Sequence, residues 1–259
     1  MPDILQELTR LRLDDAARDA AALPLAALEH RIASLPPPPA FRDAFARPGI
    51  IAELKRASPS EGPIRPSLEA APMARDLAGA GAAALSVLCE PHRFRGSRDD
   101  LSAARAAVSI PLLCKDFVAS RYPIAAARAA GASAVLLIVA ALDDPTLREL
   151  LAYARDCGLA PLVETHDADE IARALDAGAD VVGVNCRDLR DFSTDPARVE
   201  KLLSLIPSSC LRIAESGIHA PADIARLLSA GAHAFLVGTA LMRAPSPPDA
   251  LRTLLSALP

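Results

Sequence analysis

An α/β barrel of eight parallel strands, (β/α)8, is the fold this sequence predicts, and three observations carry it. Apolar strand-like runs alternate with Ala-, Leu- and Arg-rich helical stretches through most of the 259 residues. That alternation implies a parallel sheet whose helices cover its outer side. A Gly-Ala pair precedes every second run, in "GAGAAALSVL", "GASAVLLIV", "GADVVGVN" and "GAHAFLVG", with Gly81, Gly131, Gly178 and Gly231 spaced 50, 47 and 53 residues apart. A period near fifty marking every second strand means two strand–helix units per repeat, and four repeats give about eight strands, the count that closes a barrel. The length suits one such domain. A doubly wound open sheet is the alternative fold, but nothing in it calls for fourfold regularity.

The elements follow in order. Ile4, Leu5 and Leu8 mark a first helix, and Leu25, Leu28 and Ile32 a second that starts near Pro24. Both precede "LPPPPAF", where four consecutive prolines cannot continue a helix and read as a stiff connector. Residues 1–44 are therefore expected to form an N-terminal helical extension, and residues 45–259 the TIM-barrel domain. The strand candidates are "IIAEL", "AALSVL", "PLLCK", "AVLLIV", "PLVE", "VVGVN", "RIAES" and "AFLVG". "GAGAAA" mimics a dinucleotide-binding opening, but it follows a helix and precedes a strand, the reverse of the required context.

Composition excludes several function classes. A net charge of -4 with no Lys/Arg block gives no footprint for nucleic acid or an anionic membrane. The N-terminus is charged throughout and lacks a signal-peptide core, and no charge-free apolar stretch could span a bilayer, so a cytoplasmic location is expected. The five cysteines show no C-x-x-C spacing and read as small buried hydrophobes. Lysine occurs only at Lys55, Lys115 and Lys201, against 25 arginines. Arg cannot release its proton at a useful pH whereas a lysine in a suitable pocket can, and two of the three lysines end strand-like runs.

Barrel sites lie at the C-terminal mouth, where strand ends meet. Those ends carry Glu53 with Lys55, Ser86 with Glu90 just beyond, Lys115, Leu136, Glu164, Asn185 with Arg187, Glu215-Ser216-Gly217, and Gly238-Thr239. Side chains alternate along a strand, so Glu53 and Lys55 face one way and can neutralise each other. An isolated charge here is more often a solvated strand end. Three glutamates and two lysines at one rim are costly to bury unless they pair, and such clusters suit acid–base catalysis. Ser216-Gly217 and Gly238-Thr239 follow the seventh and eighth strands, where barrels bind phosphate through backbone N–H groups.

"IIAELKRASPSEGPI", "ALSVLCEPHRFRGS", "PLLCKDF", "LVETHD", "VGVNCRDL", "IAESGI" and "FLVGTALM" resemble, in order and spacing, the motifs of the indole-3-glycerol-phosphate synthase family. The resemblance spans about residues 45–245. It implies ring closure, decarboxylation and dehydration of 1-(2-carboxyphenylamino)-1-deoxyribulose 5-phosphate, a carboxy-lyase reaction of tryptophan biosynthesis. Lys115 is then the general acid at the ketone oxygen, Glu164 the carboxylate of the dehydration stage, and Asn185 the holder of a substrate hydroxyl, with Glu53, Lys55, Glu215 and Ser216 in the catalytic group. Ser58 and Pro59 would belong to a lid, and Phe94, Phe117, Leu136, Leu189 and Pro59 to an apolar slot for the aromatic ring. Arg187, Gly217, Gly238 and Thr239 complete the substrate contacts. No metal or organic cofactor is called for, since each step is proton transfer and orientation. The expected partner is a small phosphorylated substrate, with no nucleic acid, no membrane and no readable protein-binding surface; a monomer without a fused domain is expected.

The chain departs from the family at Cys89 (usually Thr), Cys114 (usually Arg) and Cys186 (usually Asn), and also at Ser133 and Thr165. None removes a proposed catalytic group. Two rival readings stand beside the main one. One is another phosphate-binding barrel of the same pathway, which would not need a lysine after the third strand. The other is a non-catalytic sugar-phosphate binder, which would not need Lys115 and Glu164 together.

Overall fold

The computed structural model describes residues 4–187 and 196–259. Its strands are β1 (Gly49–Leu54), β2 (Ala84–Leu88), β3 (Leu112–Lys115), β4 (Ala134–Ile138), β5 (Ala160–Thr165), β6 (Val181–Asn185), β7 (Leu211–Glu215) and β8 (Ala234–Val237). Each pairs in parallel with its neighbour in the chain, and β8 pairs with β1 to close the barrel. All eight apolar runs become staves. One strand end moves: β4 continues past Leu136 to Ile138, so Leu136 lies within the strand.

Helices α1 (Ile4–Ala22) and α2 (Leu25–Ala33) come first, followed by α3 (Ala70–Gly79), α4 (Arg98–Ala107), α5 (Arg121–Ala129), α6 (Asp144–Asp156), α7 (Ala168–Asp176), α8 (Pro196–Leu205), α9 (Pro221–Ser229), α10 (Thr239–Arg243) and α11 (Pro247–Leu255). Ser97, Asp143 and Asp167 start α4, α6 and α7 by accepting a backbone N–H three residues on, satisfying a donor the helix itself cannot. The four repeat glycines sit just past helix ends with φ of 104°, 96°, 87° and 93°. None of the helices among the described residues is long and apolar enough to cross a membrane.

The period of two along each strand sorts the apolar residues into two layers. Ile50, Ala52 and Leu54 of β1 face outward to the helices, where Leu85, Val87, Cys89 and Cys114 join them. Ile51 faces inward with Leu113, Leu136, Leu162, Ile213 and Leu236. Inward positions nearer the C-terminal ends are polar instead: Glu53, Ser86, Lys115, Glu164, Asn185 and Glu215. Register places Glu53 beside Ser86, Glu164 beside Gly183, and Asn185 beside Glu215. The same alternation that fills the core therefore aims every charged strand end into one mouth.

The N-terminal segment touches both ends of the barrel. On α1 the buried stripe Leu5, Leu8 continues into Arg12 and Asp15, which are buried as well. The Arg12 guanidinium donates both to Asp116 Oδ1 at 2.8 Å and to Asp116 Oδ2 at 2.7 Å, the residue directly after Lys115. Near the opposite end, Phe41 and Phe45 meet edge-on at 5.4 Å, and Arg42 donates to the carbonyls of Asp180 and Ser209, ahead of β6 and β7. Burying Arg12 is tolerated because the bidentate bonds to Asp116 and a further bond to Asp15 satisfy its N–H groups and offset the loss of solvent.

Candidate active site

The first pair is the one that strand alternation foretells. Lys55 Nζ lies 2.8 Å from Glu53 Oε1, and Ser86 Oγ donates to Glu53 Oε2 at 3.2 Å. Gly238 makes room for this pair. A Cβ there would sit 2.4 Å from Glu53 Oε1 and 3.1 Å from Lys55 Cε, so any side chain would push the carboxylate aside.

Lys115 occupies the centre. Its Nζ donates to Glu164 Oε2 at 2.8 Å and also to Glu215 Oε2. Asn185 Nδ2 donates to the other Glu164 oxygen at 3.1 Å, and Asn185 Oδ1 accepts the Arg187 N–H at 3.0 Å. Gly183 stands between the acids. A Cβ at that position would meet Glu215 Oε1 at 2.1 Å, so the missing side chain is the space that holds the Glu215 carboxyl.

The electrostatics of this triad follow from one cation shared by two buried acids. Burial alone would lower the Lys115 pKa, but the carboxylates of Glu164, Glu215 and Glu53 overcome it and hold the amine protonated. Glu164 faces the opposite opposition. Burial pushes its pKa up, yet Lys115, His166 and Asn185 together bring it down to about 2. Glu215 is pushed up to about 8, by burial first and then by repulsion from Glu164, with Lys115 only partly offsetting them. Glu164 is therefore the acid that ionises first and Glu215 the one that keeps its proton longer. Like charges this close do not both ionise.

These groups open onto a cavity of about 930 Å³, counted to its open mouth. Its floor and walls include Glu53, Lys55, Lys115, Glu164, Asn185, Arg187, Glu215 and Ser216, together with Gly217, Gly238 and Thr239. Phe94, Phe117 and Leu136 form an apolar side, the two rings 6.1 Å apart. Ser58 and Pro59 belong to a short hairpin in which Ala57–Ser58 pairs with Gly62–Pro63. Ser58 Oγ accepts the Glu61 N–H at 3.2 Å, and Arg243 at 2.8 Å and Arg187 at 3.2 Å hold Glu61. Ser216 and Gly217 are consecutive left-handed residues, φ 64° and 68°, which turn the backbone sharply across the cavity edge. Leu189 lies outside the described residues.

Glu90 behaves differently from the other strand-end acids. It is fully buried beside the cavity, where its carboxylate accepts the N–H groups of His92, Arg93 and Phe94 at 2.6, 2.7 and 2.8 Å. It shapes the loop that presents Phe94. The sequence reading missed Leu88, Asp116, Ile138, Ile218 and His219 of the cavity lining. Leu88 and Ile138 were recoverable, since each lies two residues from an inward-facing neighbour on its own strand. Four of the departures from the family pattern fall behind the site, while Cys186 packs beside Gly217 at its edge. Cys89 and Cys114 point into the outer layer, Thr165 Oγ1 donates to Gly183 O at 2.8 Å, and Ser133 Oγ accepts the Leu112 N–H at 3.3 Å.

Known proteins agree with this architecture. Solved structures at low identity share the fold: 3-hexulose-6-phosphate synthase from Salmonella typhimurium (TM-score 0.66, 15% identity, 81% of this chain and 97% of that one) and thiamine phosphate pyrophosphorylase from Pyrococcus furiosus (TM-score 0.63, 16% identity, 81% and 94%). Sequence relatives are far more similar. The chain is 49% identical to the indole-3-glycerol phosphate synthase of Leifsonia xyli over 93% of its own length and 94% of that protein. It is 45% identical to that of Acidithiobacillus ferrooxidans over 98% and 99%. The family model for indole-3-glycerol phosphate synthase matches residues 5–254. The chain thus belongs to the indole-3-glycerol phosphate synthase family, the carboxy-lyases of tryptophan biosynthesis.

Proposed function

We propose that this barrel closes the indole ring of 1-(2-carboxyphenylamino)-1-deoxyribulose 5-phosphate and releases carbon dioxide and water, with Lys115 as the first proton donor. The observation that carries this reading is the Lys115 ammonium, held between Glu164 and Glu215 and open to a cavity with an apolar side and a glycine-lined edge.

The aromatic ring of the substrate sits against Phe94, Phe117 and Leu136, and the phosphate against the backbone amides around Gly217 and Gly238–Thr239. Ser58, Pro59 and Arg187 close over the substrate. Attack of the ring carbon on the ketone turns the carbonyl oxygen into a developing alkoxide. An ammonium held as firmly as Lys115 is a weak acid, but an alkoxide is a strong enough base to take its proton, so donation occurs only as the new bond forms. Loss of the carboxylate then restores electron density to the ring. In the dehydration stage Glu164 takes a proton from carbon while the hydroxyl leaves as water with a proton from Lys55, and Asn185 keeps that hydroxyl and the Glu164 carboxylate in register. Lys55, fixed by Glu53, faces the anionic parts of the substrate. Glu215 and Ser216 sustain the charge balance and the turn at the end of β7. The arrangement uses orientation and proton transfer alone. Its test is to add the substrate to the purified protein and follow indole fluorescence together with carbon dioxide. Equimolar indole product and carbon dioxide are expected, and substrate binding without either product contradicts the assignment.

A further inference from the structure

His166 follows β5 directly and takes no part in the mechanism above. Its side chain is about nine-tenths buried, and it lies behind Glu164 rather than among the cavity-lining groups. The ring is held on one side only. Glu170 of α7 accepts the His166 backbone N–H at 2.7 Å and faces the ring Nδ1 at 3.0 Å. A carboxylate offers acceptors only, so Nδ1 carries a hydrogen. The other nitrogen, Nε2, is buried and has no hydrogen-bond partner among the described residues, and Glu164 Oε1 lies 3.5 Å from it.

This geometry leaves one proton to be placed. With Nδ1–H committed to Glu170, a neutral ring would turn the bare lone pair of Nε2 toward a carboxylate oxygen, two acceptors face to face. The contact becomes favourable when a single proton lies between them, either on Nε2 as an imidazolium or on Oε1 as a carboxylic acid. The titratable groups that face the ring are Glu164 from β5, Glu170 from α7 and Glu215 from β7, all of them acids. Burial opposes charging of the imidazole, but Glu170 and Glu164 outweigh it and raise its pKa above the ordinary 6.5.

We propose that His166 is a positioning residue that stores the proton exchanged by Glu164. When Glu164 has taken a proton from substrate carbon, that proton passes from Oε1–H to Nε2, giving an imidazolium paired with Glu170 and a carboxylate ready for the next step. The reverse transfer returns it. No other atom changes its bonding. The inference rests on the acid–base role of Glu164 proposed above.

The test measures kcat and KM against pH for the wild type, His166→Asn and Glu164→Gln, with far-UV circular dichroism and thermal melts to establish folding. Asn can reproduce the bond to Glu170 but has nothing to offer Glu164. In the wild type, kcat is expected to rise with pH as the pair sheds its stored proton and becomes able to take one from carbon. His166→Asn should lower kcat roughly tenfold or more, leave KM within about twofold, since the ring does not line the cavity, and abolish that ionisation. His166→Gln, which places an amide near the Nε2 position but cannot exchange a proton, should recover part of kcat and still lack the ionisation. If Glu164→Gln is inactive while His166→Asn keeps the wild-type kcat and pH profile, the proposal for His166 fails alone. A fall in kcat with the profile unchanged also overturns it, as a purely structural effect. If Glu164→Gln remains active, it is the role of Glu164 that fails.

Discussion

Lys115→Met is expected to abolish both products, lowering kcat by roughly 10³-fold while the substrate still binds. Met fills a similar volume but carries no proton, so ring closure cannot begin and neither carbon dioxide nor indole should appear. The substitution also unsettles the acids. Lys115 is the cation that holds Glu164 far below the ordinary carboxylate range. Without it, Glu164 remains buried beside Glu215 and must take up a proton or pay the cost of an unpaired charge. Breaking a buried pair from one side typically costs about 3–5 kcal/mol. The sign with pH is fixed. A Glu164 whose pKa rises in the folded variant binds a proton that the unfolded chain releases above its ordinary 4.5. Stability of the variant should therefore fall as pH rises from 4.5 toward neutrality, the reverse of Glu164's contribution in the wild type. Adding Glu164→Gln to Lys115→Met should restore stability without restoring turnover. Thermal melts across pH and a stopped assay for both products separate the two effects. Normal turnover by Lys115→Met would refute its role.

Glu164→Gln is the second large effect, and it should stop the reaction at a later point. The carboxylate accepts from Lys115 through one oxygen and from Asn185 through the other. An amide has one acceptor and one donor, so it cannot serve both. If its oxygen stays with the ammonium, its NH2 group confronts Asn185 Nδ2, and turning Asn185 over would forfeit the bond from the Arg187 N–H. The variant thus loses the base, one hydrogen bond and the register of the β6 loop. Because Lys115 remains, ring closure and decarboxylation should still proceed. Rapid mixing should then show about one equivalent of carbon dioxide per site, with indole formation slowed by roughly 10²–10³-fold. Simultaneous loss of both products would place Glu164 in the first step instead.

Much of this was legible from the chain. The barrel follows from the alternation of apolar runs with helical stretches and from the Gly-Ala repeat, both local properties of sequence. Glu53 and Lys55 could be paired because their spacing alone puts them on one face, and Lys115 stood out because the chain so rarely uses lysine. Other features depend on contacts that no local pattern encodes. Arg12 meets Asp116 across 104 positions, although a charged residue on the apolar stripe of α1 was a usable signal that the helix buries an ion pair. Glu90 looked like another rim acid, and only the three backbone N–H groups it accepts reveal it as a loop former. Gly183 and Gly238 give no sign in sequence that they are spaces for Glu215 and Glu53, since a missing side chain acquires meaning only once its neighbours are placed. His166 was unremarkable for the same reason.

The central claim is that Lys115 meets the ketone oxygen. It is tested most directly by the structure of a complex with a substrate analogue in which that ketone is reduced to an alcohol, so that the ring cannot close. The expected result is the analogue oxygen about 2.6–3.2 Å from Lys115 Nζ, its aromatic ring against Phe94 and Phe117. An analogue bound with that oxygen turned toward Lys55 or the solvent, and Lys115 still enclosed by Glu164 and Glu215, would contradict it.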